Sequence, residues 1–399
     1  MFLESEPENP REGSVRRRAA VVTAALAGAA LLATGCSSDG GSAPAPPGSA
    51  ATRSSAPPSG GGDGPSAPAK GTAEVTGTVA TGLTTPWGVA VLAEGDLLVA
   101  SRDTGRVVRV AAGSGRTTQV GTVPGVSSGG EGGLLGLAVS RDFATDHLVY
   151  AYFTTASDNR IARMLYDPAK PAGEQLGAPD TILRGIPHGA IHNGGRIAFG
   201  PDGMLYAGTG ESGDRGLAQD KKSLGGKILR MTPDGEPAHG NPEADSVVYS
   251  YGHRNVQGLA WDGQGRLWAA EFGQNTWDEL NLIEPGKNYG WPVVEGLAHR
   301  DGYADPIAQW RTDDASPSGI AYADGSIWMA SLRGARLWRI PLAGTKAAAD
   351  PQAFFVGEYG RLRTVVTDPD GGLLLTTSNT DGRGEPRKGD DRILRLRVS

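Results

Sequence analysis

HNGGRIAFGPDGMLYAGTGESGD, residues 192–214, decides the fold. Ile197, Phe199, Leu205 and Tyr206 are strand-forming residues in two short runs, with Gly200-Pro201-Asp202-Gly203 between them. Proline pre-sets one φ and glycine accepts a positive one, so the stretch reads as strand, tight turn, strand. A glycine-rich loop follows, and one imidazole, His192, stands just ahead of the first strand.

The same grammar recurs on both sides. Upstream, the run 86–91 turns at Glu94-Gly95-Asp96 into 97–100 and 106–110, and the run 133–139 is answered by 147–152. Downstream, 257–261 turns at Asp262-Gly263-Gln264-Gly265 into 266–270. Then 318–322 turns at Asp324-Gly325 into 326–330, and 362–366 turns at Asp368-Pro369-Asp370-Gly371-Gly372 into 373–377. Six such units, spaced by roughly 45–60 residues, predict an all-β fold, a six-bladed β-propeller whose blades are four-stranded sheets. The 61 glycines and 27 prolines suit a chain of many turns. No amphipathic helix of convincing length lies between the units, which argues against a parallel α/β fold. The run 393–398 is expected to complete the first or the last blade, closing the ring by strands shared between the termini.

A net charge of −6 and 38% hydrophobic residues allow a packed core and give no surface for nucleic acid. The N-terminal part reads differently. Arg16-Arg17-Arg18 precede the apolar run 19–33, and small residues lead to Cys36. That layout, over 1–36, is an export signal. It resembles a bacterial lipoprotein signal with Cys36 as the lipidated residue, which implies an extracytoplasmic protein held to the cell membrane by lipid; the arginines also allow twin-arginine export. Cys36 is the only cysteine, so no internal disulfide forms. Residues 37–72 are largely Gly, Ser, Pro and Ala and read as a disordered tether. The propeller is expected over 73–399.

In a propeller, residues just before the inner strands converge on one mouth of the central channel. This rule gathers Glu131, His192, Arg254, Asn255, Arg333, Arg361 and Arg363. One imidazole, several guanidiniums and one carboxylate make a site for a polyanionic small molecule with a base beside it. Taken singly, His192 and the Arg254-Asn255 pair read equally as turn caps, and Arg361 with Arg363 as a solvated strand face. Glu211, Asp214 and Asp220 form an acidic loop, either solvated or a second Ca²⁺ site. There is no Walker loop, no GxGxxG followed by an acid and no CxxC pair, so nucleotide, nicotinamide and zinc chemistry find no support.

Three motifs carry a family resemblance: YGHRNVQGL at 251–259, EFGQNTWDE at 271–279 and NYGWP at 288–292. Their order and spacing resemble the soluble pyrroloquinoline-quinone (PQQ) dependent aldose, glucose and sorbosone dehydrogenases, from Gly82 to the C-terminus. The resemblance implies oxidation of the anomeric carbon of aldose sugars to lactones, with PQQ and Ca²⁺. The chain has no CxxCH haem site, so electrons would pass to an external acceptor. By the same resemblance His192 is the general base, Arg254 and Asn255 contact PQQ, and Arg254 stabilises charge on the quinone oxygens. Arg361 and Arg363 would hold the cofactor carboxylates, and Arg333 stands where the family has lysine. The backbone carbonyls of Gly273 and Gln274 would bind Ca²⁺. Two positions depart from the glucose enzymes. Glu131 replaces a glutamine, and would repel a tricarboxylate unless protonated or paired. Ile191 replaces an aspartate that helps bind sugar, implying a broader or different aldose. Trp291 and Trp310 are candidates to stack on a sugar, with burial in turns as the alternative. Two rival functions are a lactonase-type hydrolase with a central metal, which wants acidic or Asn side chains at the strand mouths, and a non-catalytic propeller binding a glycan or partner.

Overall fold

The computed structural model describes residues 66–399. The expectations for the 1–36 signal, for lipidation at Cys36 and for the tether up to residue 65 lie outside the described residues.

Six antiparallel sheets follow one another along the chain. The first blade is Pro86–Val91, Leu97–Ser101, Arg106–Val110 and Thr117–Thr122. The second is Leu134–Val139, Leu148–Thr154, Asn159–Leu165 and Asp180–Ile186. The opening stretch supplies Ile197–Phe199 and Leu205–Gly208 of the third, joined by Lys227–Met231 and Val248–Tyr251. The fourth is Val256–Trp261, Leu267–Glu271, Trp277–Ile283 and Ala308–Arg311. The fifth is Pro317–Ala323, Ser326–Ser331, Arg336–Ala343 and Gln352–Phe354, with the short strand Lys346–Ala347 added. The sixth takes Leu362–Thr367, Leu373–Thr377 and Ile393–Val398 from the C-terminus and Ala73–Ala80 from the N-terminus. The chain is therefore a six-bladed β-propeller, closed in its last blade, where Ala73 pairs with Val398 and Ala80 with Ile393.

The inner strands touch in sequence, and that of the sixth blade touches that of the first, so the ring is complete. Four of them carry glycine where backbones meet. A Cβ on Gly88 would lie 2.5 Å from the Leu135 carbonyl oxygen, and one on Gly258 2.4 Å from that of Ser318. Gly136 and Gly319 are crowded in the same way by the next blade. The second strands (LLVAS, LYAG, LWAAE, SIWMAS, LLLTT) are buried on both faces because each sheet is covered by its two neighbours. That is why they are continuous apolar runs and not alternating ones. The core is correspondingly a set of layers between blades, such as Leu98 and Val107 of the first against Leu134, Val149 and Met164 of the second.

The folded body begins earlier than the tether boundary at 72 implied. Ala67 N donates to Leu342 O at 2.9 Å, Arg339 Nη2 to Pro68 O at 3.0 Å, and Thr72 N to Ser399 O at 3.1 Å. Backbone groups dock residues 66–72 onto the last two blades, so the scarcity of large apolar side chains did not mark this end.

Candidate active site

One cavity of about 250 Å³ opens at the mouth of the channel. Eight of the residues expected to form the site line it: Glu131, His192, Arg254, Gly273, Gln274, Arg333, Arg361 and Arg363.

His192 sits at φ +56°, a left-handed conformation costly for a residue with a Cβ, and is held there from two sides. Its N–H donates to Glu131 Oε2 at 2.9 Å, and its carbonyl accepts from Ser212 N at 3.1 Å. The ring is nearly buried, with Nδ1 2.8 Å from Glu211 Oε1. A carboxylate at that nitrogen selects the tautomer that carries its proton on Nδ1, leaving the Nε2 lone pair free to accept one. Glu211 is 1% exposed, and its second oxygen accepts from Gly213 N.

The guanidiniums are short of partners. Arg361 Nε donates to Asp381 Oδ2 at 2.9 Å, and the same oxygen lies 3.5 Å from Arg363 Nη2. One carboxylate thus serves two cations. Burial opposes the charge on Asp381, but Arg361 and Arg363 outweigh it and hold the carboxyl below its ordinary value. Burial pushes Arg363 down, and its Nε has no partner. Arg254 has no ion-pair partner among the described residues; its guanidinium lies 5.4 Å from the Trp291 ring centre, and its buried Nε is also unpaired. In all, six arginines and three carboxylates line the cavity. Arg333 stands at the rim, exposed and paired with Asp313 at 2.6 Å.

Glu131 is paired, which answers the repulsion its charge raised. Its Oε1 accepts from Arg383 Nη1 at 2.9 Å while Oε2 holds His192 N. Burial would raise the carboxyl, yet the His192 N–H and Arg383 together lower it below its ordinary value.

The N–H groups of the loop after Glu271 gather on two carboxylates. Gly273 N donates to Asp278 Oδ1 at 2.9 Å; Gln274, Thr276 and Trp277 N all donate to Glu295 Oε1, at 2.8, 3.1 and 3.0 Å. In a trans peptide the carbonyl opposes the N–H, so the Gly273 carbonyl is directed away from Glu295. Only glycine fits at 273, where a Cβ would lie 1.8 Å from the Trp277 carbonyl oxygen. Burial pushes Asp278 up to about 6 against the N–H groups of Ser316 and Gly273, and burial and Glu271 push Glu279 up to about 8.

Three expected contacts lie elsewhere. Asn255 is fully buried behind the base loop, where its Oδ1 accepts from Gly194 N at 2.9 Å, so it supports the wall and does not line the cavity. Trp291 is buried beneath Arg254 and Arg215. Trp310 belongs to the core of the fourth and fifth blades, its ring 5.7 Å from that of Trp338. Neither indole offers a face to a sugar in the cavity. The acidic loop does not converge either: Glu211 orients His192, Asp214 Oδ1 accepts from Gly216 N, and Asp220 Oδ1 accepts from Lys222 N. A separate line, Ser250–His253–Glu271, joined at 2.8 and 2.9 Å, looks like a hydrolase triad but is sealed in the core.

Asp381, Arg383, Trp87, Gln257 and Arg102 were not foreseen, nor was Glu211 as the partner of His192. Most sit on the loops joining second to third strands, which open on the same mouth as the loops that lead into inner strands. Applied to both sets of loops, the convergence rule would have included Arg102, Glu211, Asp381 and Arg383.

Comparison with known proteins agrees with this architecture. The family model described as Glucose / Sorbosone dehydrogenase matches residues 83–394. The PQQ-bound form of aldose sugar dehydrogenase from Streptomyces coelicolor is 72% identical, with a TM-score of 0.82 over 84% of this chain and 100% of that one. Aldose sugar dehydrogenase YliI of Escherichia coli is 28% identical over 74% of this chain and 88% of its own length. Quinoprotein glucose dehydrogenase B of Acinetobacter calcoaceticus is 32% identical over 58% of this chain and 56% of its own. With the family model spanning the propeller from its first turn to its last strand, the chain belongs to the glucose/sorbosone dehydrogenase family.

Proposed function

We propose that this protein oxidises the anomeric carbon of aldose sugars to the lactone with PQQ and Ca²⁺ and passes the electrons to an external acceptor. The carrying observation is a cavity rich in guanidinium, with an oriented imidazole at its edge whose Nε2 is free. The lining suits a flat triple anion. Arg361 and Arg363 share one carboxylate, Arg254 has none, and unpaired Nε–H groups remain on Arg254 and Arg363. The Gly273 and Gln274 carbonyls suit Ca²⁺, which takes oxygen ligands whatever the side chain. The similarity to the PQQ-bound Streptomyces protein supports the same cofactor.

When bound, PQQ supplies the two-electron acceptor for the hydride leaving C1, with Ca²⁺ as the Lewis acid. The chain's own residues do the rest. His192 Nε2 takes the proton of the C1 hydroxyl, so that loss of hydride and proton leaves the lactone carbonyl. Glu211 holds the ring and stabilises the imidazolium that forms. Arg254 brings positive charge to the anion in the cavity, preorganised at no cost during reaction. Ile191, 40% exposed beside the base, offers the sugar an apolar contact without a hydrogen bond, which favours breadth over affinity. A hydrolase with a central metal is disfavoured because all three lining carboxylates are already engaged, Glu131 by Arg383, Asp381 by Arg361 and Asp278 by backbone N–H groups.

Reconstitution tests the reading. Purified apo-protein given PQQ and Ca²⁺ is expected to shift the cofactor absorbance, to melt at a higher temperature and to reduce a dye with aldoses. Absence of both the spectral shift and the thermal shift overturns it. Export and lipidation at Cys36 rest on the sequence alone; labelled fatty acid should enter the parent in a bacterial host and not C36S.

A further inference from the structure

Arg196 stands where four other inner strands carry glycine. Gly88, Gly136, Gly258 and Gly319 each precede the residue that pairs with the middle of the second strand, as Arg196 precedes Ile197. The glycines let adjacent inner strands meet; Arg196 sends its side chain across the hub. Nε donates to the Gln257 carbonyl at 2.8 Å, and Nη2 donates to Thr364 Oγ1 of the sixth blade at 3.0 Å. The guanidinium carbon lies 4.4 Å from the Trp87 ring centre. It is buried, and no carboxylate pairs with it among the described residues. Burial lowers its pKa, yet a guanidinium keeps its proton at neutral pH.

Trp87 and Gln257 also line the active cavity. Arg363 meets both, with Nη1 donating to Gln257 Oε1 at 2.9 Å and its guanidinium 5.7 Å from the same indole. On the other side, Arg196 borders a space of about 270 Å³ between the inner strands, whose lining includes Val89, Leu137, Ile197, Leu259, Ile320 and Val365. Arg196 is thus a charged partition between the cavity and the rest of the channel. A buried cation without a counter-charge is costly unless something repays it. The charged groups around Arg363 are Asp381, Arg102, Arg361 and Glu131, and none of the carboxylates reaches Arg196.

We propose that Arg196 is an electrostatic positioning residue: an uncompensated cation beneath the cavity floor whose counter-charge is the anionic quinone, raising both its affinity and its reduction potential. This rests on the PQQ reading above. A fixed cation in a medium of low polarity acts over several ångströms and favours the electron-richer, reduced form.

The test compares R196M, which keeps length without charge, with R196K, which keeps charge without the planar fork. Each apo-protein is titrated with PQQ at saturating Ca²⁺ by absorbance, and the midpoint potential of the bound cofactor is measured. R196M should bind PQQ at least tenfold more weakly with a lower midpoint, and R196K should stay within about threefold of the parent. Where R196M does not fold, R196Q takes its place, since it can still hydrogen-bond to Thr364. A folded neutral variant with parental affinity and midpoint overturns the proposal, as does an equal loss in R196K, which would make shape the cause. A parent that fails to bind PQQ sinks the cofactor reading instead, so the two failures are distinct.

Discussion

His192 depends on neighbours that are far away in the chain. Glu211 fixes its tautomer, and Glu131 holds its backbone in the left-handed region. Replacing His192 with Ala should lower kcat by roughly 10²–10⁴ while PQQ titration stays unchanged. E211Q should lower kcat by about tenfold or more with KM little changed, because the amide can present its N–H to Nδ1 and trap the wrong tautomer. The Arg383–Glu131 pair makes a pH-dependent prediction. The folded carboxyl lies below its ordinary value, so the stabilisation is complete above the ordinary carboxylate pKa and is lost as pH falls through the folded one. The difference in melting temperature between the parent and R383A should therefore be full at neutral pH, begin to shrink as pH falls below the ordinary carboxylate value of roughly 4.3, and close once pH is below the depressed value of folded Glu131. A difference that persists into stronger acid would mean that the pair is not what Arg383 contributes. Of these partners, only Glu131 stood out in sequence. Glu211 looked like one carboxylate of a solvated loop, because nothing local shows that its side chain turns back 19 residues to an imidazole.

At the scale of elements, loops on one face supply most of the site, and strand ends add Trp87, Gln257, Asp278 and Arg363. The loop after Glu271 shows how. Glu295, on the far side of the NYGWP motif, gathers three N–H groups of that loop. E295A should cost roughly 2–4 kcal/mol by leaving those donors without an acceptor and should raise the Ca²⁺ needed for half-maximal reconstitution; urea denaturation and a Ca²⁺ titration measure the two effects. Parental Ca²⁺ demand in a destabilised E295A would separate the loop from the metal. The loops into inner strands could be read from hairpin spacing, since each follows directly from the position of the next strand. The loops from second to third strands vary in length, so Asp381 and Arg383 were not placed.

For the whole molecule, the N-terminal strand completes the last blade, adding its outermost strand from the other end of the chain. A chain starting at Gly82 would leave Ile393–Val398 as an open edge. It should melt lower by about 5 °C or more and elute earlier than the parent on size-exclusion chromatography; unchanged melting and elution would show that closure adds little. By itself the sequence determined the blade count, the pairing of first with second strands and the family, because turn residues and apolar runs are local and repeat. It also marked His192 and most of the arginines. Only the tertiary structure decided that Asn255 faces the wall, that Trp291 and Trp310 are buried, that Glu131 is neutralised by Arg383, and that Arg196 crosses the hub. Each of these depends on contacts between different parts of the chain, and a one-dimensional pattern carries charge and periodicity but not the direction in which a side chain points.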